Sequence, residues 1–217
     1  MIAKLLKKEF RLCLHPTLPI MLALSALTLA PNYPYAVMYF YLTLSFFFIS
    51  VNGREQHDVT YSLTLPVAKT DIVTARVLFF VILELVQLAL TGLMILLRRR
   101  ILPDPNAAGM DANLVLLGEG FLCYGLFHLV FFPSYYRDVN KVGVSFVKSS
   151  TVLFAFIIVE VVLCYTVPLF RDVLDTPDPA HRSAKLLCLL ICAVFYALAT
   201  LLTLRISQKR FQQQDIR

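Results

Sequence analysis

Three carboxylates stand inside runs that are otherwise almost wholly apolar: Glu84 in "VILELVQLAL", Glu119 in "LVLLGEGFLC" and Glu160 in "FIIVEVVLC". Carboxyl groups in a dry setting can act as general acids or bases, relay protons or face a cationic ligand. Each of those roles needs a second group at short range. The four histidines, His15, His57, His128 and His181, lie in separate segments, and only His128 sits deep in an apolar run. A structural hydrogen bond is the reading adopted for it. The five cysteines form no CxxC pair. Cys188 and Cys192 share a helix face, but they have no His or carboxylate one turn away, so all five are read as small buried hydrophobes. None of the seven glycines is followed by Lys, so there is no phosphate-cradling loop, and HExxH and GxSxG are missing as well. No catalytic, metal-binding or cofactor-binding set emerges from the chain itself.

The elements that carry these residues are set by composition. Of 217 residues, 59% are hydrophobic and 16% charged, with a mean hydropathy of +0.73. A soluble domain has about 45–50% apolar and about 25% charged residues. A chain of this size cannot hide the excess in a core. Lipid is therefore the expected solvent, and six apolar runs approach the roughly 20 residues that a membrane-crossing helix needs. They cover about 17–30, 35–51, 73–97, 113–132, 150–168 and 185–205. The first is short, with Pro16 and Pro19 at its entrance. The expected fold is an all-α integral membrane protein, a single transmembrane domain over residues 1–217 with six spans.

With the N-terminus placed in the cytoplasm, all but six of the 20 lysines and arginines fall on the cytoplasmic side. The exceptions are Arg98, Arg99, Arg100, Arg171, Arg182 and Lys185. The positive-inside rule favours this orientation, with both termini cytoplasmic in a cell membrane. The run Arg98–Arg100 opposes it, and Asp104, Asp111 and Glu119 are expected to offset the run. The net charge of +6 is thus a topology signal. No basic stripe interleaved with aromatics points to nucleic acid. The opening "IAKLLKKEFRLCL" places Ile2, Leu5, Leu6, Phe10, Cys13 and Leu14 on one helical side, with Lys4, Lys7, Lys8 and Arg11 on the other. Residues 1–14 are expected to form an amphipathic helix on the cytoplasmic membrane surface.

Between the second and third runs lies a polar cassette, residues 54–71, within "REQHDVTYSLTLPVAKTDIVTARV". Glu55 to Tyr61 can form a short polar helix, Leu65 and Pro66 break it, and Thr70 or Asp71 is placed to cap the next span. The stretch "LTLPVAKTDIVTARVL" resembles the signature "LSLPVSRxxIVxxKyL" of type-two ABC exporter permeases. The agreement covers Leu63, Leu65, Pro66, Val67, Lys69, Ile72, Val73, Arg76 and Leu78, while Ala68 stands where Ser or Thr is usual. The resemblance extends to the six-span layout and the amphipathic N-terminal helix, and so to the whole chain.

That resemblance implies a coupling helix docking on a separate ATP-binding subunit, with Glu55, Gln56, His57, Asp58, Tyr61, Leu63, Leu65 and Pro66 as the coupling residues. It also implies a second permease copy, identical or similar. ATP and Mg would be bound by the partner and no cofactor by this chain. Compact permeases of this kind resemble the membrane subunits of exporters for phenol-soluble modulin-type toxins and of antimicrobial-peptide resistance pumps, so an amphipathic peptide or other hydrophobic compound is the expected cargo. Glu84, with Gln87 one turn on, and Glu160 are the substrate-path residues, each with an interhelical link as the alternative role. Two other readings stay open: an intramembrane enzyme built around Glu84, Glu119 and Glu160, and a membrane sensor or assembly factor that transports nothing.

Overall fold

The structure, a computed structural model, describes residues 1–102 and 104–214. Arg217, counted among the cytoplasmic basic residues, lies outside that set. Among the described residues 79% are helical and none forms a strand. This is what a chain in lipid requires, because a helix satisfies its backbone polar groups within one segment.

The N-terminal helix α1 (Ile2–Lys8) continues through one wide turn, Glu9–Cys13. Pro16 then breaks the chain. α2 (Thr17–Ala23) follows, with Pro19 tolerated in its first turn, and tightens into a 3-10 stretch over Leu24–Leu29. The two halves, Ile2–Cys13 and Thr17–Leu29, meet at 93°. The second half is only about 20–25 Å long by helical rise, short of the roughly 30 Å of hydrocarbon. α3 (Val37–Glu55) has 19 residues, but its last turn, Asn52 to Glu55, is polar.

After α4 (Asp58–Thr64) come the four helices that are long and apolar enough to cross a membrane. They are α5 (Lys69–Ile101), α6 (Leu114–Tyr135), α7 (Val142–Thr166) and α8 (Arg182–Gln212). Among the described residues there are therefore four candidate spans by length and composition, or five if the bent N-terminal pair counts as one. The difference from six apolar runs has a plain cause. Pro16 bends the chain ahead of the first run and leaves it short, and the polar end of α3 shortens the second.

α6 is the central helix, packed along α8 and against α7. Close approach is paid for in side-chain size, as is common between helices in lipid. A Cβ on Gly120 would come within 2.5 Å of Leu88 and 2.6 Å of Tyr39. One on Gly125 would come within 2.9 Å of the Phe195 ring. The core below is aromatic: Phe46 stacks on Phe80 with centroids 4.0 Å apart, and Phe127 stacks on Phe131 at 4.8 Å. α7 and α8 turn Ile158, Val159, Leu190, Ile191 and Leu198 outward, the expected dress of lipid-facing surfaces.

At the end opposite α4, loops tie the bundle together. Asn113 caps α6, its Oδ1 accepting from the Val115 and Leu116 amides while its Nδ2 donates to Leu174 O at 2.8 Å and Thr176 O at 3.0 Å. Arg98 is buried, donating to Thr28 O at 3.0 Å and Asp104 O at 3.2 Å beneath the Tyr35 ring. Arg99 pairs with Asp178. The direct partners of the arginine run are thus two backbone carbonyls and Asp178, not the carboxylates of Asp104, Asp111 or Glu119.

Candidate functional site

The polar cassette folds three residues later than its sequence suggests. Glu55 is the last residue of α3 and Gln56 its C-cap. His57 then adopts a left-handed backbone (φ 52°), which turns the chain sharply into α4. α4 ends where Leu65 becomes extended, the conformation that a following proline favours. α5 starts at Lys69 behind Ala68, which offers no side-chain cap. Thr70 and Asp71 lie inside its first turn, so the expected capping bond is not made. Asp71 there still complements the helix dipole.

The eight residues that the resemblance marks for coupling divide by face. Glu55, Gln56, His57, Tyr61 and Pro66 are exposed, with Tyr61 at 56% of its full area, while Leu63 and Leu65 are half-buried. Thr60 and Thr64 join Tyr61 on the outer side of α4. Asp58 turns the other way.

Asp58 enters a cluster of four charges that joins three elements. Its Oδ1 takes the Lys8 ammonium at 2.7 Å and its Oδ2 the Arg76 guanidinium. Glu9 accepts from Arg76 Nη2 at 3.3 Å through Oε1, pairs its Oε2 with the same guanidinium at 2.8 Å, and lies 3.3 Å from Lys8. Lys8 also donates to Ser62 Oγ at 2.8 Å. α1 and its wide turn thus supply one cation and one anion, α4 one anion, and α5 one cation. Glu9 and Arg76 are buried, at 1% and 5% exposure. Burial alone would raise the Asp58 carboxyl, but Arg76 and Lys8 outweigh it and hold the group below its ordinary value. A depressed acid stabilises the fold above its unfolded pKa of about 3.9 and loses that contribution as pH falls through the folded value. Acid should therefore release α4 from α1. Glu9, Cys13 and Asp58 also lie close enough together to hold a metal ion. With two cations already paired to the two carboxylates the cluster is neutral, and the donor set does not favour a further cation.

Sequence reading missed this cluster because Glu9 sits in a basic helix and was assigned to neither face. A signal was present, for Leu5, Glu9 and Cys13 recur at four-residue spacing and all three are buried. Physically, the cluster makes α4 mechanically continuous with α5 and with the N-terminal helix. A push on α4 cannot be absorbed by a slack loop.

A second polar group lies within the bundle. Glu84 is fully buried, its Oε1 2.8 Å from His128 Nε2 and its Oε2 accepting from Tyr196 OH at 2.5 Å. His128 Nδ1 lies 3.0 Å from Thr200 Oγ1, so the acceptor role of Glu84 assigns the ring proton to Nε2. Gln87 donates to Met38 O at 3.1 Å and accepts from Tyr124 OH at 2.5 Å. Every helix of this seam has its polar group satisfied by another, joining α3, α5, α6 and α8. Glu160 is elsewhere: its Oε1 accepts from the Met110 amide at 3.1 Å and from Cys164 Sγ at 3.3 Å. The structure therefore brings Glu84 and Gln87 together with His128 and leaves Glu160 near the loops.

This layout can be compared with known proteins. A family model described as ABC-2 family transporter protein matches residues 4–212, nearly the whole chain. No curated protein and no solved structure is significantly similar to it.

Proposed function

This chain belongs to the ABC-2 transporter family, and we propose that within it the protein works as an exporter permease coupled through α4. Membership makes it the multi-pass membrane subunit of an ABC transporter, with a separate ATP-binding subunit as partner. Members of the family are typically non-catalytic; in the reading proposed here ATP and Mg are bound by the partner. The observation that supports the finer reading is the division of α4. Its outer side, Tyr61 with Thr60 and Thr64, is free to meet a partner, while its inner side is pinned by Asp58 to Lys8 and Arg76. A rigid-body shift of the ATPase is thereby delivered to α5 and the N-terminal helix together.

The complex pairs two permease copies with two ATPases. The bent N-terminal pair and α3 complete a six-span layout with α1, α4 and both termini on the cytoplasmic face. The cargo is an amphipathic peptide or similar hydrophobic compound moved outward. For a Lys-rich peptide, α8 must part from α5 to free Glu84 from Tyr196, and α3 and α6 must part from α5 to free Gln87 from Met38 and Tyr124, so that Glu84 offers a counter-charge along the path. Glu160 serves as a link between α7 and the 104–113 loop.

Two measurements test this reading. In a cysteine-free background, a cysteine at the exposed Ala107 should react with an impermeant thiol reagent in intact cells, and one at Gln213 only after permeabilisation. The reverse pattern inverts the orientation. Tyr61→Ala combined with Thr64→Ala should leave the permease folded, since both side chains are exposed. It should lower recovery of the ATPase with the purified permease by about tenfold, the scale of one aromatic hot spot of about 1.4 kcal/mol. Undiminished recovery would remove α4 as the docking element.

A further inference from the structure

The arginine run at the far end of α5 is the one sequence feature that the transport reading leaves unused. Beside it, α5, α6 and α8 leave a groove of about 430 Å³, within the roughly 300–1,000 Å³ typical of ligand sites. Its floor is apolar, formed by Ala89, Gly92, Leu93, Leu96 and Leu117. Leu93 and Leu96 are 58% and 59% exposed, so the groove opens sideways toward lipid. Its mouth is charged, lined by Arg99, Arg182 and Asp178.

The charges at the mouth do not balance. Asp178 pairs with Arg99 and is also shared with Lys185, 3.3 Å away. Arg182 is exposed and has no ion-pair or hydrogen-bond partner among the described residues' side chains. At the mouth itself two guanidinium groups, Arg99 and Arg182, thus meet one carboxylate that the buried Lys185 already shares. Asp104 and Asp111 line a neighbouring hollow with Arg98 and Arg99 and do not line the groove. The groove also has a telling length. From Ala89 to Arg99 is ten residues, about 15 Å of helix, which is half of the roughly 30 Å hydrocarbon core. An apolar trough one leaflet deep, open to the bilayer and closed by unbalanced guanidinium groups at headgroup level, has the dimensions and charge of an anionic phospholipid.

We propose that this groove is a binding site for an anionic phospholipid of the leaflet opposite α4, with one acyl chain along Gly92 and Leu96 and the phosphate on Arg99 and Arg182. Gly92 is what leaves room for the chain: a Cβ built there would meet only Leu117 Cδ1, at 3.9 Å. The site also gives a reason for basic residues on a face where topology alone disfavours them.

The chain contains no tryptophan, which permits a direct test. Leu93→Trp places a single fluorophore on the groove wall of the full-length permease in phosphatidylcholine bilayers. Phosphatidylglycerol with a brominated acyl chain should quench it at roughly fivefold lower mole fraction per arginine engaged than brominated phosphatidylcholine, the scale of one basic side chain near an anionic surface. Arg99→Gln with Arg182→Gln should abolish that preference. Arg182→Gln alone, which breaks no bond in the fold, should reduce it. Gly92→Phe, which fills the trough, should weaken quenching by both lipids. Equal quenching by the two lipids in the Leu93→Trp parent overturns the proposal, as does a preference that survives loss of both arginines. Quenching by neither would overturn it too, making the groove a contact between copies of the chain.

Discussion

Replacing Arg76 with Ala is expected to cost about 3–5 kcal/mol of stability, the usual penalty for breaking a buried ion pair from one side. The substitution leaves Glu9 and Asp58 in a buried site with Lys8 as their only cation. Arg76→Met together with Glu9→Leu should recover most of the loss, because the remaining Lys8–Asp58 pair is neutral and apolar side chains replace the rest. The informative comparison is between stability and coupling in that double variant. Thermal unfolding of the purified complex should return close to the parental value. Substrate-stimulated ATP hydrolysis should stay low, since α5 is no longer tied to α4. Recovery of both together would reduce the cluster to a stabilising contact.

Glu84→Leu should cost about 2–6 kcal/mol, because it strips the acceptor from two buried donors at about 1–3 kcal/mol each. Those donors are the His128 Nε2–H and the Tyr196 hydroxyl. Glu84→Gln keeps an acceptor for Tyr196, and its amide can donate to His128 Nε2 once the ring proton moves to Nδ1, where Thr200 Oγ1 accepts it, so the variant should stay within about 1 kcal/mol of the parent. The pair separates structure from transport. If Glu84 also gives counter-charge to a cationic cargo, the Gln variant assembles normally and exports neutral compounds, yet loses export of a Lys-rich peptide. Undiminished export of that peptide by Glu84→Gln would confine Glu84 to holding α5, α6 and α8 together.

Features that depend on local chemistry could be read from the chain. The Leu65–Pro66 break appears where the sequence places it, and the run of Leu63, Leu65, Pro66, Ile72, Val73 and Arg76 pointed to the family that matches residues 4–212. Features that depend on which side of a helix meets which neighbour could not. Arg76 looked like one basic residue of a signature, and only its position opposite Glu9 and Asp58 shows it as the hub of a four-charge cluster. The resemblance to exporter permeases marks Asp58 with the rest of the short helix for docking, but a seven-residue helix has two sides and Asp58 is on the inner one. His57 turning through a left-handed backbone moved the helix start from Glu55 to Asp58, a choice no periodicity encodes. The apolar runs likewise carried no sign of the 93° bend at Pro16, because hydropathy does not register a change of helix direction. His128, assigned a structural bond from its depth, has two, to Glu84 and Thr200.

The coupling role of α4 is tested by a photo-crosslinking amino acid placed at Tyr61, with Ala107 at the opposite end of the bundle as the control position. Both sites are exposed, so neither substitution disturbs packing. Irradiation of cells that contain the permease and its ATP-binding subunit should give a covalent adduct between the two from Tyr61 and none from Ala107. An adduct from Ala107 with none from Tyr61 would place the ATPase on the other face of the membrane and contradict the assignment of α4 as the coupling helix.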